Sequence, residues 1–297
     1  MDARSSPESS RKEARDCPAC GHDMPQWAFL AGGFPHVTCT ECGTLFVSPL
    51  PSADVVQATY LRPDYHPSAE STCARMGAEA HGRATIVAEL LERPAHGARV
   101  VEVGCGYGYF LDAVRELGMA AVGVDPAVTA ARAAERGHTI HPVWLEAFGP
   151  DAPFDVLALF EVLEHLPDPH ASLLRMREWL APGAVLALST PSYSGAPARV
   201  LGRKFPLVTP PDHLELFTRR GLAALLDRAG FEPLRWTSFS NLDGPAITRN
   251  LQRFALGEST PARAVATVFG RLGAAPVRLL DRLGLGTSFE VYARLRG

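Results

Sequence analysis

RVVEVGCGYGYF, residues 99–110, opens with a valine-rich run, Val100 to Val103, and then places glycines at 104, 106 and 108. A short β-branched run bounded by turn residues is the signature of a strand covered on both faces. The chain continues as FLDAVRELG, with Phe110, Leu111, Val114 and Leu117 at helical spacing. Strand, glycine turn and helix make the first half of a nucleotide-binding βα unit. Glycine lets the backbone approach a ligand with no Cβ in the way. The first turn of the helix adds N–H groups that have no partner within the helix. Glycine turns also serve plain strand–helix packing, so the turn alone names no ligand.

The spacing is more informative. A dinucleotide fingerprint reads G-x-G-x-x-G. Here the third glycine comes one residue early, and Glu102 stands two residues before the first. The pattern E-x-G-x-G-x-G resembles motif I of the class I S-adenosylmethionine (SAM) methyltransferases. The resemblance implies cofactor contacts from Glu102, Gly104, Cys105, Gly106 and Gly108. Downstream, AAVGVDP ends a second strand with Asp125 and Pro126, where an acid accepts both ribose hydroxyls.

From residue 99 strands and helices alternate. Strands are expected at 99–103, 120–124, 138–143, 154–160 and 184–189, and helices at 108–117, 127–136 and 169–180. That alternation predicts an α/β fold, a Rossmann-like parallel sheet with helices on both faces. Within the resembled family, FEPLRWTSFS (231–240) and SFEVYARLRG (288–297) supply the sixth and seventh strands as an antiparallel edge. Residues 241–287 are then expected to form a helical insertion. Residues 49–98 form a helical linker or lid, with a helix in LPSADVVQATY, another in AHGRATIVAELLERP, and Tyr60, Tyr65 and His66 between them.

Ligands of such sheets bind at the carboxyl ends of the strands. After the fourth strand comes FEVLEHLPDP, which resembles the LEHLPDP motif of the ubiquinone-biosynthesis O-methyltransferases and their relatives. The resemblance implies that Phe160 and Glu161 line the methionine end of SAM and that Glu164 and His165 sit where the methyl group emerges. Bracing roles for Glu164 and His165 stand beside that reading. Near the adenine the candidates are Trp144, Leu145 and Glu146, of which Glu146 is counted among the expected cofactor contacts. DHLELFT, Asp212 to Thr218, resembles the acid–histidine segment of the zinc-ribbon sugar C-methyltransferases. An imidazole can accept a proton near neutral pH, and an adjacent carboxylate can fix its tautomer. His213, then His165, are the candidate bases, with Asp212 as helper. The alternative is that His213 only anchors its loop.

Cys17, Cys20, Cys39 and Cys42 form C-x2-C-x18-C-x2-C, a tetrahedral zinc spacing. Four thiolates leave no open position, so the metal is expected to be structural, in a ribbon over 16–48 behind a disordered tail at 1–15. Gly21 and Gly43 close the two knuckles, and His22 and His36 are expected at the surface. Cys73 and Cys105 have no base beside them in sequence and are read as unreactive.

A net charge of −3, with no lysine or arginine in 16–48, argues against nucleic acid as a partner. No apolar run approaches the roughly 20 residues of a membrane span. The polar N-terminus does not resemble a secretory signal, so a cytoplasmic location is expected. The arginine-rich stretch 261–284 offers a surface for a phosphorylated substrate or a membrane face. The expected activity is SAM-dependent methylation of a small molecule at carbon or oxygen, in a protein whose oligomeric state the sequence leaves open. An RNA methyltransferase and a SAM-binding protein without turnover are the rival readings.

Overall fold

The computed structural model describes residues 15–62, 70–240 and 275–297, with backbone only at 70–73 and 276. Residues 1–14 of the expected tail, Tyr65, His66, the Cys73 side chain and most of the insertion lie outside the described residues; Arg15, expected in that tail, is instead hydrogen-bonded to Ser48 and Val47.

A small antiparallel sheet comes first. Strands β1 (Pro25–Ala31) and β2 (Phe34–Cys39) form a hairpin turned by Gly32 and Gly33, and β3 (Leu45–Val47) pairs with β2. Helices α1 (Ala53–Tyr60) and α2 (Glu70–Leu90) lead to the main sheet. There β4 (Arg99–Val103), β5 (Ala120–Val124), β6 (Thr139–His141), β7 (Phe154–Phe160) and β8 (Leu180–Pro191) are parallel. Helices α3 (Tyr109–Glu116), α4 (Ala130–Glu135) and α5 (Pro169–Arg177) connect them. After β8 come α6 (Ala196–Leu201), β9 (Glu215–Leu216) and α7 (Arg219–Arg228). The chain closes with β10 (Phe231–Phe239), α8 (Ala275–Arg282) and β11 (Ser288–Leu295).

The seven-stranded order is β10-β11-β8-β7-β4-β5-β6, with β11 antiparallel to both neighbours. The central strands are apolar because both faces are covered. Val101, Leu157 and Leu186 belong to the core cluster on one side, and Val100, Val156 and Ala187 to the cluster that includes α2 and α3 on the other. Chain order runs outward from β4 to β5 and β6, then restarts on the other side at β7. A crevice therefore opens at the carboxyl ends of β4 and β7, the topological switch point where such sheets bind ligands.

Two local expectations are corrected. The strand read at 184–189 extends over Leu180–Pro191. A register shift against β7, between Phe154 and Val156, absorbs the Pro182-Gly183 pair that reads as a turn in sequence. His36 is buried at 3% exposure rather than at the surface. Its ring stacks on Phe29, with centroids 5.1 Å apart, and Nδ1 donates to the Phe34 carbonyl at 3.0 Å. No helix among the described residues is long and apolar enough to cross a membrane.

Candidate active site

A cavity of about 650 Å³ occupies the switch-point crevice. Its lining includes Glu102, Gly104, Cys105, Gly106, Asp125, Pro126 and Glu146. Two of the glycines are required sterically. At Gly104 (φ 72°) a Cβ would lie 2.5 Å from Val162 Cγ2, and at Gly108 (φ 74°) 2.7 Å from Ala133 Cβ. Both sit in the left-handed region that L side chains avoid. Gly108 is also the residue before α3, so the turn delivers the start of that helix to the cavity.

Asp125 follows β5 directly and is 4% exposed. Its Oδ2 accepts from Gly106 N–H at 2.7 Å and its Oδ1 from Ala127 N–H at 2.8 Å. Each oxygen keeps a second lone-pair site, so a rigidly held carboxylate still has acceptor capacity. Glu102 is 5% exposed, and burial holds its carboxyl well above the usual range, opposed by the charge of Arg83. Cys105 also lines the cavity. Its Sγ points back into the sheet against Gly123, and burial pushes the thiol up, in keeping with the unreactive reading. Glu146 is exposed at the rim, where its carbonyl accepts from Arg175 at 2.6 Å, and Trp144 and Leu145 line the wall beside it.

Phe160 packs edge-on to Phe110 at 5.0 Å and carries the Arg83 guanidinium 4.2 Å above its ring. Arg83 comes from α2, also lines the cavity, and is held by Glu290 at 2.7 Å. Glu161, the next residue, has φ 54°, the one positive value among described non-glycine residues. Such a backbone costs on the order of 1–3 kcal/mol and persists where its surroundings impose it. Here Glu161 N–H donates to the Ser189 carbonyl at 2.9 Å, and Oε1 is buried with no hydrogen-bond partner. Burial raises its carboxyl.

The lining also brings together segments far apart in sequence, including Tyr60, His165, Asp212 and His213. His165 and His213 face each other with ring centroids 5.0 Å apart. His165 Nδ1 donates to the Asp212 carbonyl at 2.9 Å, and His213 Nδ1 donates to the Leu207 carbonyl at 2.7 Å. A carbonyl accepts only, so the neutral His213 ring carries its proton on Nδ1 and its lone pair on Nε2. Leu207, and not Asp212, therefore sets the tautomer of His213; the Asp212 carboxylate lies 3.7 Å from Nε2. Burial and the neighbouring His213 lower His165 to about 4. Tyr60, at the end of α1, donates to the Asp212 carbonyl at 2.8 Å. Glu164 is fully buried, accepts from Thr190 Oγ1 at 2.9 Å, and presents Oε1 with no hydrogen-bond partner. Ligand atoms of Glu164, His165 and His213 all lie within 4.8 Å of one another. Neither this convergence nor the contributions of Arg83 and Leu207 is signalled by local sequence, and Tyr60, expected in the loop between two helices, is the last residue of α1.

The four cysteines also converge, all sulfurs within 4.8 Å. Cys17 and Cys42 are 3.6 Å apart, and Cys20 and Cys39 3.5 Å. Four thiolates around a zinc at 2.3 Å stand about 3.8 Å apart, so the donor set fits that ion closely. Both knuckles are closed as expected, by Gly21 N–H to the Cys17 carbonyl (2.8 Å) and Gly43 N–H to the Cys39 carbonyl (2.9 Å).

Sheet order and crevice define a class I methyltransferase fold with a four-cysteine ribbon ahead of it. A family model described as a methyltransferase domain matches residues 79–235, more than half of the chain, and the protein belongs to that family. Among curated relatives, the ubiquinone biosynthesis O-methyltransferase of Maricaulis maris is 34% identical over 108 residues, 33% of this chain and 42% of that protein. The enzyme of the same name from Ruegeria pomeroyi is 32% identical over 173 residues, 49% of this chain and 68% of that protein. The chain thus spans less than half of the first relative's length. Among solved structures, a Burkholderia thailandensis 1,6-didemethyltoxoflavin-N1-methyltransferase with bound S-adenosylhomocysteine (SAH) aligns at TM-score 0.52 and 17% identity. That match covers 92% of this chain and all of the other, a likeness of fold.

Proposed function

We propose that the protein is a SAM-dependent methyltransferase that methylates a small molecule at carbon or oxygen, with a structural zinc in its ribbon. The observation that carries this is a single cavity lined both by Glu102, the glycine turn and Asp125 and by His165, Asp212 and His213. The sulfonium of SAM supplies an already activated methyl group, so the protein's task is mainly alignment. In this reading Asp125 holds the ribose hydroxyls, and Gly104 to Gly108 let the backbone close on the cofactor. Glu146 and Trp144 flank the adenine. Phe160, Glu161 and Arg83 face the methionine end, and Glu102 stands behind the turn. His213 Nε2 accepts a proton from the acceptor as it is methylated, with Asp212 beside it, and His165 is the second candidate.

Calorimetry with SAM, SAH and NAD tests the cofactor assignment. Binding of NAD without SAM overturns it. A screen of phenols, sugars and carbon acids with labelled SAM then tests turnover. Retention of bulk RNA on filters would favour the nucleic-acid rival, and SAM binding with no consumption across all acceptors the non-catalytic one. Ubiquinone-pathway relatives make a hydroxylated ring a reasonable first acceptor to try.

A second reading rests on the Glu164, His165 and His213 donor set. One ligand atom from each of the two histidines and a buried carboxyl oxygen, all within 4.8 Å, also suit a divalent cation that would orient a hydroxyl acceptor. Titration of Mn2+ into zinc-loaded protein decides between the readings. Stoichiometric binding abolished by His213→Ala favours the cation, and no binding leaves His213 as the base.

A further inference from the structure

The cysteine ribbon is built into the acceptor end of the cavity. Its strand β3 pairs on its far edge with β9, Leu45 opposite Leu216 and Phe46 opposite Glu215. The ladder continues through Val47 N–H to the Leu214 carbonyl at 2.8 Å, one residue after His213. On the other edge of this segment, Leu214 N–H donates to the Glu164 carbonyl at 2.8 Å. Residues 212–216 are therefore held between the ribbon and the turn that carries Glu164 and His165.

Arg15, just ahead of the first cysteine, ties the same pieces together. Its backbone N–H donates to Ser48 Oγ and its Nε to the Val47 carbonyl, each at 3.0 Å. Its Nη1 donates to the Pro167 carbonyl at 2.8 Å and its Nη2 to Glu215 at 2.5 Å. Glu215 is 1% exposed, and a carboxylate so deeply buried needs such a partner. The second cysteine knuckle grips the next stretch. Thr218 Oγ1 donates to the Cys42 carbonyl at 2.5 Å, and a side chain at Gly221 would collide with Thr44 Oγ1. Arg228 of α7 reaches the Ala19 carbonyl in the first knuckle at 2.8 Å.

A two-residue strand such as β9 cannot hold its own register, and a ribbon of this size buries too little to fold without its metal. The glycine turn, by contrast, is held by β4, β5 and α3 on the far side of the crevice. We propose that the zinc ribbon is a positioning element for the acceptor end of the site: metal binding orders β3 and the Cys39–Cys42 knuckle, these fix residues 212–216, and with them Asp212 and His213. Arg15 and Glu215 are positioning residues in this scheme and touch no substrate. The inference rests on the reading that zinc occupies the four cysteines and that His213 faces the acceptor.

Hydrogen exchange by mass spectrometry on the full chain tests it, comparing zinc-loaded with chelator-stripped protein and following SAH binding by calorimetry in parallel. Stripping should speed exchange about tenfold or more in peptides covering 15–48 and 212–217, with 99–110 and SAH affinity changed by less than about threefold. Arg15→Ala in zinc-loaded protein should speed exchange at 212–217 while zinc stays at one ion per chain, and Arg15→Lys should partly restore protection. Unchanged exchange at 212–217 once the ribbon has opened overturns the proposal. So does simultaneous loss of protection at 99–110 and of SAH binding, which would make the ribbon a support for the whole fold. If zinc-loaded wild type fails to bind SAH, the proposed cofactor is wrong, and the exchange contrast at 212–217 still decides the brace.

Discussion

The glycine turn and the Asp212–His213 turn line one cavity but are assembled in opposite ways. The first is local: Glu102 to Pro126 is a single strand–turn–helix–strand passage, held by hydrogen bonds between neighbours such as Gly106 N–H to Asp125. The second is convergent. Residues 15, 60, 164–165, 207 and 212–216 meet there through backbone carbonyls and a buried ion pair. Local construction gives a rigid cradle that tolerates change elsewhere in the molecule. Convergent construction makes the reactive end sensitive to elements far from it, the ribbon included.

The sharpest way to test that division is to remove the reactive group alone. With an acceptor identified from the screen, His213→Asn should lower turnover by roughly two to four orders of magnitude, the usual range for a general base. SAH affinity should stay within about twofold, because in the proposed reading His213 acts on the acceptor and not on the cofactor. Near-normal turnover in this variant would make His213 an anchor and move the test to His165. A parallel loss of SAH affinity would break the claim that the two ends act separately.

The next effect is on stability. His165 is held at about 4 by burial and by His213. A histidine depressed in the folded state takes up its proton more readily when unfolded. Its contribution is full above about pH 6.5 and is lost as the pH falls from there to about 4, on the order of 3 kcal/mol. Urea denaturation of wild type and His165→Gln at pH 7.5 and at pH 4.5 should show the gap between them shrinking or reversing at the lower pH. Taking the difference cancels the acid sensitivity of the zinc thiolates. A gap independent of pH would mean that His165 is not buried as a neutral ring.

Asp125→Ala probes the local half without any acceptor. Loss of hydrogen bonds to a charged group costs about 1.5–3 kcal/mol, or roughly ten- to a hundredfold in SAH affinity. Exchange protection at 212–217 should be untouched. An unchanged affinity would place the ribose elsewhere in the crevice.

This difference in construction also explains what could be read in advance. Strand β4, the glycine turn and Asp125 announce themselves because strand periodicity, turn chemistry and ligand contact all fall within a few residues. The five parallel strands of the main sheet follow from the same regular alternation, and its antiparallel edge from the family resemblance. The cysteine pairs are equally legible, since metal geometry restricts their spacing. Asp212, His213 and His165 stand out as residue types, but their arrangement does not. The tautomer of His213 depends on the carbonyl of Leu207, which any residue would supply. The place of Tyr60 depends on where α1 ends, and that of Arg83 on how α2 lies across β8 and α3. Arg15 reads as part of a charged tail until β3 and β9 pair. His36 reads as exposed until Phe29 covers it.

The smallest expected effect bears on the seam where ribbon and acceptor end join. Thr218 is the N-cap of α7, accepting from Gly221 N–H at 3.0 Å while its hydroxyl proton goes to the Cys42 carbonyl at 2.5 Å. One hydroxyl thus satisfies an orphan donor of the helix and an acceptor of the zinc knuckle. Thr218→Val keeps the shape and removes both bonds, at a cost of about 1–2 kcal/mol, the range for losing such a cap. Thr218→Ser keeps both bonds and should lie close to wild type. Urea midpoints measured with zinc present separate the two variants, since neither touches the cavity and SAH affinity should not move. If valine is as stable as serine, the cap bears no load, and the ribbon is held to this end by β3–β9 pairing and Arg15 alone. If valine is equally destabilising with and without zinc, helix capping has value on its own and the link to Cys42 contributes nothing. A valine penalty that is present with zinc and disappears without it would locate the coupling in this one hydroxyl.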